Sequence, residues 1–335
     1  MATTSKKPAS KKTKTTRKVS TANKQSGAAT TRKTTTKKVT PKKKTNKVSA
    51  AKSATSTNVD TTTKGIKPIV LAKGSAAQAM DSLRTLNFFV AFANAVQAGL
   101  ILWLSKAFGG IHSVMVNFPT NDSLASARAG QPEVVSAAHR LFDVHLSWLI
   151  AAFLIVAGVM HLSLATGMRR RYEREIAAHV NRVRWATYAL SGSLVLITIA
   201  LAGGISDLVT LLAVVGFNVI AALVALSREH YTQNGDRTRL VYGIGAVAAA
   251  APWVIILLNV LGTHQYGSGG TALELYWIYL TGLVLVIALG KNLREQTRAR
   301  GRWIDYVYAE KVYLWLSLVG NGAIAWQMYA AFLKK

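Results

Sequence analysis

From residue 81 onward, apolar positions gather in seven long stretches, near 83–105, 143–166, 180–203, 206–227, 240–262, 271–291 and 307–333. Each approaches the ~20 residues a helix needs to cross the hydrocarbon core of a bilayer. The apolar character runs around the whole helix, as in Leu194-Val195-Leu196-Ile197-Thr198-Ile199-Ala200-Leu201. A helix on the surface of a soluble protein keeps one polar face instead. The pattern predicts an all-α, seven-transmembrane-helix bundle over residues 81–335, with a long connection from Lys106 to Leu141 between the first two crossings. Residues 1–80 show no such periodicity. They are mainly Lys, Thr, Ser and Ala, and the first aromatic residue of the chain is Phe88. Such a segment buries too little apolar surface to offset its ordering entropy, so it is expected to be a disordered tail.

Charge divides along the same boundary. The tail holds 20 basic residues against the single acid Asp60, which is +19 of the chain's net +27 and leaves +8 for the rest. Flexible cations at this density bind polyanions by counterion release, so nucleic acid and anionic lipid are the expected partners of the tail. A solvated tail without a dedicated partner is the alternative. Within the bundle, Arg169, Arg170, Arg171, Arg174 and Arg182 follow the second crossing, and Arg228, Arg237 and Arg239 follow the fourth. Lys291, Arg294, Arg298, Arg300 and Arg302 follow the sixth. The opposite connections hold Lys106, Arg128 and Arg140 in the long first loop and no basic residue in the turns at Gly203-Gly204 and His264–Thr271. The excess of basic residues on one face places the N-terminus in the cytoplasm and the C-terminus outside. No apolar core typical of a cleavable signal occurs in the first 60 residues, so insertion is expected to be driven by an internal segment.

The absence of cysteine excludes disulfides, thiolate metal sites and cysteine nucleophiles. No Gly-rich nucleotide loop, HExxH or GxSxG motif is present, and no His and carboxylate cluster has metal-ligand spacing. Asp143, Asp207, Glu274 and Glu310 are placed near the starts of crossings rather than at their centres. Ion pumping, which uses ionisable groups along a membrane path, is therefore not expected, and neither is enzymatic activity. Asn94, Gln97, Asn218 and Asn321 are read as interhelical hydrogen-bond partners, and Pro252 as a kink.

Several local sequences resemble the heliorhodopsins, retinal-binding membrane proteins distantly related to microbial rhodopsins. The match is carried by Gly301-Arg302-Trp303-Ile304-Asp305-Tyr306-Val307-Tyr308-Ala309-Glu310-Lys311-Val312-Tyr313, by Leu316-Ser317-Leu318-Val319 and by Ala325-Trp326-Gln327. Arg184-Trp185 with Tyr188, Ala95-Val96-Gln97 and Pro252-Trp253 agree as well. The resemblance implies a seven-helix fold with a cytoplasmic N-terminus, a homodimer to which the first loop contributes, and light sensing through retinal held as a protonated Schiff base. The family's lysine follows the Leu-Ser-Leu-Val run, where this chain has Asn321. The glutamate counterion of a Trp-x-Glu-Tyr pattern is Thr187 in Trp185-Ala186-Thr187-Tyr188. An amide is no amine nucleophile, so no covalent retinal is expected. Loss of the cation favours loss of its carboxylate, since either alone is costly in the membrane. By position, Tyr188, Ser191, Asn218, Trp253, Trp326 and Gln327 match the family's chromophore pocket. His161 matches a histidine on its cytoplasmic side, and the histidine usually paired with it is replaced by Asn94. Asn94, Gln97 and His161 are thus expected to form a cytoplasmic-side polar network. Without a Schiff-base proton to accept, His161 reads as a histidine bonded between helices. Non-covalent retinal or a carotenoid-type molecule remains a candidate ligand.

Overall fold

The computed structural model describes residues 73–106, 108–233, 239–267 and 273–334. The tail up to residue 72 lies outside them. The chain runs α1 (Lys73–Leu104), β1 (Ile111–Asn121), α2 (Ser123–Ala129), β2 (Val134–His145), α3 (Leu146–Ala165) and α4 (Arg169–Ala177). It continues through α5 (Arg182–Ala202), α6 (Leu208–Gln233), α7 (Arg239–Tyr266), α8 (Leu273–Arg298) and α9 (Tyr306–Met328), with a 3-10 turn at Gly301–Ile304 and a π turn at Tyr329–Leu333. The helix α1 opens at Lys73, ahead of the apolar stretch that begins near residue 83.

Among the described residues, seven helices have 20 residues or more: α1, α3 and α5 to α9. Six of them, all but α9, are long and apolar enough to cross a bilayer. The helix α9 is less hydropathic because its first turns carry Tyr306, Tyr308, Glu310, Lys311 and Tyr313. It packs against α1, α3 and α8, and Tyr306, Glu310 and Tyr313 are buried in the bundle. The outside of the bundle is apolar: Phe92, Trp103, Val247 and Leu258 are all more than half exposed. Water would penalise such a surface, whereas lipid would not.

The interior is built around α3, where Leu146, Ile150, Phe153 and Leu154 are fully buried. At its start Leu146 N donates to Gly110 O at 2.7 Å. Gly110 has φ +67°, and a Cβ there would lie 2.8 Å from that of Leu146, so both conformation and space require glycine. Deeper in the membrane Gly158 lets α3 approach α1, with Ala91 O only 3.3 Å from where a Cβ would stand.

The connection between the first two crossings adds a two-stranded sheet to the helical bundle. Strands β1 and β2 form an antiparallel hairpin, paired from Ile111 with His145 to Asn121 with Val134 and irregular between Val114 and Met115. The short helix α2 fills its tip, capped by Asp122 Oδ1, which accepts from Leu124 N and Ala125 N. Asp143 belongs to β2, not to a helix start. The hairpin docks on the turn before α6: Met115 N donates to Ser206 O at 2.9 Å, and Asn117 Nδ2 to Asp207 Oδ1 at 3.1 Å. The face that carries it is called the hairpin face below, and the opposite one the basic face.

Candidate functional site

A cavity of about 150 Å³ lies inside the bundle. Its wall is mostly apolar, supplied by Val195, Leu196, Leu285, Val286 and Ile324 among others. The chain brings seven of the expected positions to this wall: His161, Thr187, Tyr188, Ser191, Asn218, Trp253 and Asn321. They come from α3, α5, α6, α7 and α9, so the cavity sits where these helices converge. Among the described residues, no lysine lines it.

The polar groups on the wall are largely satisfied within the protein. Thr187 Oγ1 donates to Val183 O of its own helix at 2.8 Å, as membrane threonines commonly do. Ser191 Oγ donates to Phe153 O at 2.9 Å, tying α5 to α3. Asn218 Nδ2 reaches Tyr188 O at 3.2 Å and Ser193 Oγ at 3.0 Å, tying α6 to α5. Asn321 is half-buried and makes no hydrogen bond with the described residues, so its amide is available to the cavity. The outer edge of the Trp253 indole lies against the helix α8 at Gly282, where a Cβ would fall within 2.7 Å of Trp253 Cζ3. Glycine is therefore what lets the indole form this wall.

Trp326 and Gln327 lie outside the cavity lining. Trp326 packs edge-on against Tyr329, and Gln327 Nε2 donates to Thr281 Oγ1 of α8 at 2.9 Å. The proposed grouping of Asn94, Gln97 and His161 does not form. Asn94 donates to Val90 O and Gln97 to Ala93 O, both in their own helix, and Gln97 faces Gly322 rather than His161. The partner of His161 on α1 is Asn87, two turns before Asn94: His161 Nδ1 lies 3.0 Å from Asn87 Oδ1 and Nε2 lies 3.1 Å from Ser317 Oγ.

From Asn87 the polar chain continues toward the basic face, into a cluster that the sequence reading did not assemble. Asn87 Nδ2 lies 3.4 Å from Tyr172 Oη, and Tyr172 donates to Glu310 Oε1 at 3.1 Å. Arg184 then bridges Glu310 and Glu229, one guanidinium nitrogen to each. Its charge also lies over the Tyr313 ring, 3.9 Å from the centroid. Glu229 accepts further from Asn181 N, Trp185 Nε1, Gln296 Nε2 and Tyr306 Oη. Glu310 accepts further from Asn181 Nδ2 at 2.6 Å. Both carboxylates are almost wholly buried, and Arg184 is nearly so. Such burial is tolerable only because each charge is paired and its remaining oxygens are hydrogen-bonded. Among the described residues, no group of three or more His, Asp or Glu is placed to hold a metal ion.

Fold and site together define a rhodopsin-like bundle of membrane helices. The transmembrane domain of a Salpingoeca rosetta rhodopsin phosphodiesterase aligns with it at a TM-score of 0.53 and 10% identity, covering 80% of this chain and 92% of that one. At that identity the likeness is one of fold alone. The heliorhodopsin family model matches residues 83–333, and the chain belongs to that family. No curated protein matches the chain. It is an integral membrane protein.

Proposed function

We propose that this heliorhodopsin-family chain forms no imine with retinal and keeps its central cavity for a neutral ligand held without a covalent bond. The observation that carries this reading is the wall of the cavity. It presents an amide at Asn321, hydroxyls at Thr187 and Ser317 and, among the described residues, no lysine. Imine formation requires an unprotonated amine beside the carbonyl, which none of these groups supplies. Thr187, the counterion position, is turned back on Val183 O and holds no charge. Arg184 also reaches the wall, but its guanidinium is already shared between two carboxylates and is not left to pair with an acidic ligand. A neutral polyene such as retinal or a carotenoid-type molecule fits that chemistry. The protein then acts through its scaffold and partners rather than through Schiff-base photochemistry or as an enzyme. The functional unit on this reading is a homodimer, with the basic face and the tail in the cytoplasm.

The test is reduction with borohydride after incubation with all-trans retinal, followed by peptide mass spectrometry. No retinyl adduct on any bundle lysine is expected, and a stoichiometric adduct on one of them would reject the proposal.

A second reading, favoured by the +19 carried by residues 1–80, is that the bundle anchors a polycation that engages nucleic acid or anionic lipid. Deletion of residues 1–74 is then expected to abolish salt-sensitive DNA binding by the solubilised protein. Binding indifferent to the deletion or to salt would discard it.

A further inference from the structure

A second, larger cavity opens on the outside of the bundle, between α6, α7 and α8, with a volume of about 560 Å³. It arises because α7 packs closely on α6 but touches α8 only sparsely. Small residues keep it open: Ala221 and Ala225 on α6, Gly245, Ala246 and Ala249 on α7, and Gly290 on α8. Its floor is Trp185, Tyr188 and Trp253, which also wall the central cavity.

The two ends of the groove differ. Along α7 it runs from Val241 to Val254, about 20 Å at 1.5 Å per residue. Val241 stands two residues after the start of α7 at Arg239, so this end of the groove lies at the headgroup level of the basic face. The lining there is Arg228, Lys291 and Arg294, and among the described residues no carboxylate lines any part of the groove. Lys291 and Arg294 are exposed, stand three residues apart on one side of α8 and form no ion pair with the described residues. Both precede the last turn of α8, whose basic residue is Arg298, so the helix dipole does not account for them.

We propose that this groove is a binding site for one anionic phospholipid of the leaflet on the basic face. An acyl chain lies along the alanine and glycine surface of α6 and α7, and the phosphate meets Lys291 and Arg294. A zwitterionic lipid would bring its own cation to the same two charges and gain less.

The test uses the full-length protein in detergent, exchanged with equimolar phosphatidylglycerol and phosphatidylcholine carrying identical chains, with retained lipid counted by native mass spectrometry. One phosphatidylglycerol per chain is expected, with roughly a 30-fold preference over phosphatidylcholine for two cations near the headgroup. Lys291→Gln with Arg294→Gln should remove the preference. Arg298→Gln with Arg300→Gln, on the same face but outside the groove, should leave it unchanged. Ala249→Phe, which fills the groove, should lower retention of the phosphatidylglycerol while both cations remain. Absence of a preference in the wild type, or its survival in the Lys291 and Arg294 variant, overturns the proposal. So does preferential retention of oleate when it is added at equal concentration, because the occupant would then be a free fatty acid.

Discussion

Replacing Glu229 by Gln should destabilise the bundle about twice as much as replacing Glu310 by Gln, although both are buried partners of the same arginine. Glu229 accepts five hydrogen bonds: Oε1 from Arg184, Gln296 and Tyr306, and Oε2 from Asn181 N and Trp185 Nε1. A glutamine keeps one acceptor oxygen and turns the other into a donor. With its oxygen toward Arg184, the new amide faces the backbone N–H and the indole N–H, neither of which can accept, so two donors are orphaned. Glu310 accepts three, from Arg184 at Oε2 and from Tyr172 and Asn181 Nδ2 at Oε1. Tyr172 can reverse its hydroxyl and accept, which leaves one orphan. At roughly 1.5–3 kcal/mol for each hydrogen bond to a charged group, Glu229→Gln costs about 3–6 kcal/mol and Glu310→Gln about 1.5–3 kcal/mol. Thermal unfolding of the detergent-solubilised protein, followed by tryptophan fluorescence, reads the difference. At about 2–4 °C per kcal/mol the melting temperatures should fall by roughly 10 °C or more and roughly 5 °C. Equal shifts, or a larger one for Glu310→Gln, would refute the donor accounting.

Other outcomes follow from the same geometry. Gly282→Ala drives a methyl into the Trp253 indole and should cost about 1–3 kcal/mol, seen as a lowered melting temperature with altered tryptophan emission. Unchanged emission would show that the indole does not rest there. Asn321→Lys with Thr187→Glu should yield more retinal pigment than Asn321→Lys alone, because the new cation then has its carboxylate. Equal absorbance from the single and double variants would break that coupling. The carboxyl of Asp207 is held below the usual carboxylate range, first by the backbone N–H of Thr210 and then by the Thr210 hydroxyl and Asn117. Its contribution is therefore present above the ordinary aspartate pKa and lost as pH falls through the lowered one. Amide exchange in the first turn of α6 and at Met115 should accelerate below about pH 4, and Asp207→Ala should show the fast exchange already at neutral pH. Protection that is indifferent to both changes would exclude Asp207 as the link between hairpin and bundle.

The crossings were legible because each is apolar on every side, and their spacing carried α1, α3 and α5 to α8 without further information. The hairpin was not. Most of β1 and β2 is exposed, so no clean alternation marks a buried face, and the residues that pair, such as Ile111 and His145, lie far apart in sequence. The apolar run of α6 ends near residue 227, and Arg228 and Glu229 look like the polar start of a loop, whereas Glu229 turns inward to Arg184. Arg184, Trp185 and Glu310 were visible as motif residues, but the partner that explains them sits on another helix. The place of Asn87 is likewise hidden, since the family's histidine position falls on Asn94, which bonds its own helix. Buried charges at the ends of apolar helices were the signal that could have led to the cluster.

The central claim, that the cavity bearing Asn321 and Thr187 forms no imine, is tested most directly by one spectrum. The purified protein is incubated with all-trans retinal, and its visible absorbance is recorded before and after hydroxylamine. The expected result is no band displaced well to the red of free retinal, and no bleaching of such a band by hydroxylamine. A red-shifted band that hydroxylamine destroys would mean that a lysine of this chain does hold retinal covalently.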